Sequence, residues 1–187
     1  MGVSFGTIVL TPLAVMTLMA VFVHQVAYAL DNNIENVVAA SSLGVLGFGG
    51  FCGQFFFGWF SDRVTDVKYS AVLGMIIMAA GMVLLLQATT AQRLYFYALI
   101  YGFGYGSLGP MMPILVADRF GRHVLGSVYG WLTFFMGICG GIGPFMGGLI
   151  YDLSGSYTYV WQANIVILVD CVLLMLVLGP RDASARE

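Results

Sequence analysis

Six long apolar runs separated by short polar breaks account for almost the whole chain. They extend from Phe5 to Leu30, Val37 to Phe60, Tyr69 to Gln87, Leu94 to Ala117, Leu125 to Ile150 and Tyr157 to Leu178. A helix needs about 20 apolar residues to cross a bilayer, and each run has that length. The runs are continuous, whereas a membrane barrel would show shorter segments of alternating polarity. The pattern predicts an all-α integral membrane protein with six transmembrane helices in a single domain spanning residues 1–187.

The breaks have the chemistry of loops. Asp31-Asn-Asn33, Ser61 to Lys68, Ala91-Gln-Arg93, Asp118 to His123 and Asp152 to Ser156 hold nearly all the charge. The first run is expected to be a span and not a cleaved leader, because it is long and has no basic segment before it. Composition agrees with the pattern. Among 187 residues, 60% are hydrophobic and only 9% are charged, too few polar groups to clothe a water-soluble globule. Disorder is excluded by the same hydrophobicity. The net charge of -2 gives no basic surface for nucleic acid.

Basic residues set the expected orientation. Arg63, Lys68, Arg119, Arg122, Arg181 and Arg186 fall on one side, and only Arg93 falls on the other. By the positive-inside rule both termini are expected in the cytoplasm, with the chain in the cell (inner) membrane.

Small residues recur at helical spacing. In the fifth span Gly126, Gly130, Thr133, Gly137, Gly141, Pro144 and Gly148 lie on one face, with Gly143 beside them. Such a face is expected to admit a neighbouring backbone, or to bend during a conformational cycle. Trp131, Phe135, Ile138, Ile142 and Phe145 form a bulky stripe expected to face lipid. The fourth span pairs a stripe of Gly102, Gly106, Gly109 and Pro113 with one of Tyr97, Tyr101 and Tyr105.

Several motifs, in order, carry a family resemblance. Gly58-Trp-Phe-Ser-Asp62-Arg63-Val-Thr-Asp-Val-Lys68 lies between the second and third spans. It resembles the signature loop of the major facilitator superfamily, a glycine, three residues, Asp, a basic residue, one residue, Gly and two basic residues. Gly58, Asp62 and Arg63 match; Thr65 replaces the second glycine, Asp66 and Val67 replace the basic pair, and Lys68 comes one place late. The segments Asp118-Arg-Phe-Gly121, Gly126-Ser-Val-Tyr-Gly130 and Gly143-Pro-Phe-Met-Gly-Gly148, followed by Tyr151-Asp152, are similar to the last third of carriers in the monocarboxylate and oxalate/formate branch. His24-Gln-Val-Ala-Tyr28-Ala-Leu-Asp31 is similar to the seventh helix of that branch.

Members have twelve helices in two halves, so the resemblance implies one half, helices seven to twelve, of a secondary transporter. Such a carrier moves a small solute, an organic anion or monocarboxylate, by alternating access at the midplane. Its implied partners are the lipid bilayer, a small-molecule substrate, a coupled proton, and an N-terminal six-helix half or a second copy. A truncated or nonfunctional membrane scaffold is the competing reading.

Candidate substrate or proton contacts follow from polarity within spans, since such groups usually face a cavity or another helix. Thr17, His24, Tyr28 and Asp31 share a face of the first span, and the His24 imidazole can carry a proton or bind an anion. Gln54, Tyr97, Tyr101 and Tyr105 are the next candidates, because amide and phenol groups can orient a carboxylate. Gly58, Asp62 and Arg63 are the candidate cytoplasmic gating loop, where Asp62 could pair with a basic helix end. Asp170, mid-span in the last helix, is expected to be protonated or hydrogen-bonded at a helix or subunit contact. Related carboxylate carriers place an arginine in the eighth helix or a lysine in the eleventh, and the corresponding spans here contain neither.

Enzymatic chemistry is not expected. Cys52, Cys139 and Cys171 read as small apolar residues, with no metal site or cofactor implied. No phosphate-cradling loop occurs. A serine protease reading around Ser107 fails because His24 lies far upstream and His123 lies in a loop.

Overall fold

The structure is a computed structural model that describes the backbone of residues 2–177 and the side chains of residues 10–117, 121 and 123–177. The side chains of Asp118, Arg119 and Arg122, and the tail with Arg181 and Arg186, lie outside the described residues. The helices are α1 (Gly2–Asp31), α2 (Asn36–Ser61), α3 (Lys68–Leu86), α4 (Ala91–Tyr105), α5 (Leu108–Phe120), α6 (Leu125–Ser154) and α7 (Thr158–Val177). A single 3-10 turn, Arg122–Val124, leads into α6. Because α4 and α5 together make one crossing, there are six helices long and apolar enough to span a bilayer.

Glycine chemistry explains how the helices approach. α2 lies against α4, which also packs on α3; α1 packs against α6 and α7, and α3 against α7. A methyl group at Gly49 would sit 2.6 Å from the Leu99 carbonyl oxygen, and one at Gly106 would sit 2.7 Å from the Gln54 backbone nitrogen. At Gly102 it would strike the Leu46 carbonyl. The two backbones are therefore in direct contact, as close packing inside a membrane requires where apolar burial drives no association. Around this seam Leu46, Phe57, Met75, Met78, Met82, Leu94, Tyr97 and Trp161 are buried.

The fourth span is not the uninterrupted helix that its hydrophobicity suggests. Gly106 and Ser107 keep right-handed dihedrals, but the ladder tightens there, with Ser107 N donating to Gly104 O at 3.0 Å. Pro110 cannot donate to Gly106 O, and Pro113 cannot donate to Gly109 O, so two rungs are missing just beyond the break. The opposite end of α6 stops cleanly: Gly155 takes a left-handed conformation (φ 68°) and donates to Tyr151 O at 2.7 Å.

Burial is uneven. Only 11% of the α6 span is buried, against 56% of the span made by α4 and α5. The difference locates the open side of the molecule on α6 and on one face of α2, where Phe48, Phe51, Phe55 and Trp59 are exposed.

Candidate functional site

Most of the polar groups on α1 are engaged inside the bundle. Thr17 is buried and its hydroxyl donates to Ala14 O at 2.8 Å. The Tyr28 hydroxyl donates to Leu85 O on α3 at 3.1 Å. His24 reaches across to α6, where Nε2 lies 2.8 Å from Pro144 O. A carbonyl only accepts, so Nε2 carries the proton, and in the neutral ring Nδ1 is left to accept from the Tyr157 hydroxyl at 3.4 Å. The histidine seat depends on Gly147, where a methyl group would come within 2.8 Å of His24 Cδ2. Asp31, the last residue of α1, is exposed.

The tyrosine stripe divides. Tyr97 is fully buried and donates to Gln25 Oε1 at 2.8 Å. Gln25 Nε2 in turn lies 3.4 Å from Ser42 Oγ, which donates to Ala39 O at 2.6 Å. This relay ties α1, α2 and α4 together. Gln25 is the residue sequence reasoning passes over, because it lies off the Thr17–His24–Tyr28 face; an amide in an apolar run was the available signal. Tyr101 is also fully buried, with its hydroxyl facing the Thr17 side chain without hydrogen-bond geometry to any described residue. Neither ring reaches the open side. A solute contact for Thr17, His24, Tyr28, Tyr97 or Tyr101 does not follow from this geometry, because their polar atoms are spent on, or enclosed by, the bundle.

Gln54 and Tyr105 differ from these. Gln54 is exposed on α2 and lines a cleft with Phe55 and Pro110. Its amide nitrogen lies 3.4 Å from the position a methyl at Gly109 would take, so the missing side chain there leaves it room. Tyr105 is half-buried one turn away along the same seam, its ring over Gly50 and edge-on to Phe22 with centroids 5.8 Å apart. Neither head group makes a hydrogen bond among the described residues. An unpaired amide facing hydrocarbon costs roughly 2 to 7 kcal/mol, which favours a wet or ligand-filled cleft at this point.

The α2–α3 turn is ordered by contacts of its own. The Arg63 guanidinium lies 4.0 Å over the Trp59 ring, and the Ser61 hydroxyl donates to Gly58 O at 2.7 Å. Asp62 is exposed, and a methyl group at Gly58 would meet no atom within 4 Å. Asp66 and Lys68, not singled out by the motif, are the buried charges here, with Lys68 N donating to Asp66 Oδ1 at 3.0 Å.

The expected packing face of α6 divides in the structure. At Gly126, Gly130, Gly137 and Gly141 an added methyl group would meet no heavy atom within 4 Å. Close approach within the described residues occurs at the other expected members, Gly143, which abuts the Met16 carbonyl, and Gly148, which has His24 Cε1 at 3.8 Å, and at Gly147 between them, which abuts His24. The reason is rotational: α1 covers the Gly143–Gly147 side, and the Gly126–Gly141 side turns away from every described helix. Thr133, on that open side, satisfies its hydroxyl with Tyr129 O at 2.8 Å. Asp170 is exposed on α7 with no hydrogen-bond partner among the described residues. Cys171 is buried beside it, its thiol 3.8 Å from Leu10 O, while Cys52 and Cys139 are half-buried and unpaired. The described residues hold no cluster of His, Cys, Asp and Glu suited to a metal ion.

Comparison with known proteins adds the family. A sequence model of the Major Facilitator Superfamily matches residues 3–187. The chain is 28% identical over 159 residues to monocarboxylate transporter 12-B of Danio rerio, covering 82% of this chain and 33% of that protein. It is 25% identical over 157 residues to monocarboxylate transporter 12 of Xenopus laevis, covering 82% of this chain and 34% of that one. The chain thus spans about a third of the length of the curated relatives it matches. In fold it is similar to a crystal structure of the POT family transporter PepTSo, with TM-score 0.79 and 12% identity over 96% of this chain and 39% of that one.

Proposed function

The chain belongs to the major facilitator superfamily, and from that premise we propose that it is one half of a secondary transporter that moves a small solute by alternating access. The observation that carries this reading is the open side of the bundle. α6 is almost bare, and its glycines at 126, 130, 137 and 141 meet nothing. A glycine face lets a backbone approach closely, and one left bare by its own chain suits a second six-helix half, supplied elsewhere in the gene product or by a second copy. Two halves rocking about a cleft between them would alternate its access.

The cleft lined by Gln54, Phe55 and Pro110 lies on the exposed face of α2 and is the proposed solute wall. Organic acids are the first solutes to test, because the similar curated proteins bear the monocarboxylate transporter name. The positive-inside distribution supports a cytoplasmic location for both termini and the α2–α3 turn of a chain in the cell membrane. There exposed Asp62 is available to a basic helix end of the second half, with Arg63 held aside on Trp59. Proton coupling belongs to the proposal as a property of the assembled carrier. The reading is of a carrier and not an enzyme.

The test is uptake by the complete protein in proteoliposomes, with and without an imposed pH gradient. Solute accumulation driven by the gradient supports the proposal in full, and downhill flux without a pH effect supports transport but removes proton coupling. Stable insertion with no flux of any tested solute rejects transport and leaves a membrane scaffold.

A further inference from the structure

We propose that His24 holds the coupled proton of the assembled carrier, that the proton arrives from the end of the bundle where Asp31 and Asp152 lie, and that it tightens α1 against α6. This rests on the transport reading above and gives its proton a residue.

The enclosure that denies His24 a solute still admits a proton. Among the described residues, His24 and Asp170 are the only imidazole or carboxyl groups within a span and away from its ends, and Asp170 is exposed on α7. Three elements meet at the His24 ring. Nε2 of α1 donates to Pro144 O of α6 at 2.8 Å, and Nδ1 faces the hydroxyl of Tyr157, just ahead of α7, at 3.4 Å. Nδ1 is therefore the ring position without a proton. A proton added to its lone pair breaks no bond: Nδ1 becomes the donor and the phenol oxygen accepts, so both ring nitrogens stay bonded in either form.

The titratable groups around the ring form a series. The Tyr157 ring lies 5.4 Å from His24 between centroids, with Tyr28 of α1 edge-on to it at 6.5 Å and Tyr151 of α6 stacked on it at 4.2 Å. The Tyr151 side chain faces the Asp31 carboxylate, and Asp152 follows on α6. Asp31 and Asp152 are exposed, Tyr151 is half-buried and Tyr157 is buried. From α3 comes only a backbone group, the Leu85 carbonyl that holds Tyr28. Asp31, Tyr151, Tyr157 and His24 thus succeed one another from an exposed helix end inward, and the basic-residue distribution puts that end outside the cell.

Protonation has a mechanical consequence. A charged donor makes a hydrogen bond about twice as strong as a neutral one, so the imidazolium grips Pro144 O harder than the neutral ring does. Pro144 has no N–H and leaves Gly140 O without its rung, so the bond lands where α6 bends most easily. Gly147 and Gly148 admit the ring beside that point. The same helix carries the bare glycine face, so a proton on His24 acts on the element that a second half would meet.

The test pairs nitrogen NMR of the complete protein, labelled with 15N-histidine in lipid nanodiscs, with uptake in proteoliposomes. The His24 signals, assigned by their absence from His24→Gln or His24→Asn, should change from the singly to the doubly protonated pattern as the pH is lowered. Tyr157→Phe removes the partner of Nδ1 and should move the pH of that change, which a purely structural histidine would not show. His24→Gln keeps an amide donor for Pro144 O but takes no proton, so accumulation driven by a pH gradient should be lost. A ring that stays neutral at every pH where the protein is folded overturns the proposal and leaves transport standing. Gradient-driven accumulation retained in His24→Gln, or wild-type flux without any pH effect, does the same. If the wild type carries no solute under any gradient, the transport reading falls and the coupling role falls with it. The NMR signals of the wild type and Tyr157→Phe decide the protonation even where His24→Gln inserts poorly.

Discussion

Two glycine stripes, alike in the sequence, meet opposite fates in the fold. On α2 and α4, Gly49, Gly102 and Gly106 press backbone on backbone, and a methyl group at any of them would strike a carbonyl or an amide. On α6, Gly126, Gly130, Gly137 and Gly141 face open space. The first stripe has found its partner inside the chain. The second has the same chemistry and none, so its partner is sought outside the chain. Small-residue periodicity therefore reports that a close neighbour is wanted without reporting which molecule supplies it.

The contrast can be broken by substitution, read as thermal unfolding of the complete protein. Gly102→Ala forces a methyl against the Leu46 carbonyl, backbone that cannot yield, and should cost about 3 kcal/mol. A wild-type unfolding temperature would show that the α2–α4 seam is looser than described. Gly147→Ala meets a side chain that can move; the His24 ring should shift and lose its bond to Pro144, costing about 2 kcal/mol. If Gly147→Ala is neutral but His24→Ala is not, the ring is not seated on that glycine. Tyr28→Phe removes the hydroxyl bond to Leu85 and should cost about 1 kcal/mol. The smallest change in stability should come from Gly137→Ala, within about 0.5 kcal/mol, because no described atom is near. Gly137→Leu sharpens the comparison. It should leave insertion and helix content intact while flux falls, and unaltered flux would mean that no backbone approaches that face.

The six crossings and their all-helical class were legible in the sequence, because about 20 apolar residues in a row have few other solutions. The break at Gly106 and Ser107 was hidden from hydrophobicity, although Pro110 and Pro113 mark the missing rungs once the helix is in view. Polar candidates were legible as residues and not as roles. Thr17, His24 and Tyr28 share a helical face, yet that face turns inward, so that His24 and Tyr28 bond across to α6 and α3 while Thr17 bonds back to its own helix at Ala14. Helical periodicity gives the face and leaves its direction open. The same gap holds for the α6 stripe: Gly143 and Gly148 meet α1, while no described atom lies near Gly126, Gly130, Gly137 or Gly141.

In the proposed carrier the glycine side of α6 lies against a second half and its bulky side against lipid. Spin labels at Thr133 and at Ile138, placed singly in the complete protein with Cys52, Cys139 and Cys171 replaced by alanine, would compare the two faces of one helix. The measurement is collisional accessibility to oxygen, which is concentrated in lipid. The label at Thr133 should be immobilised and shielded from oxygen, and the one at Ile138 mobile and oxygen-accessible. Equal, high oxygen accessibility at both positions would contradict it, because both faces would then be in lipid.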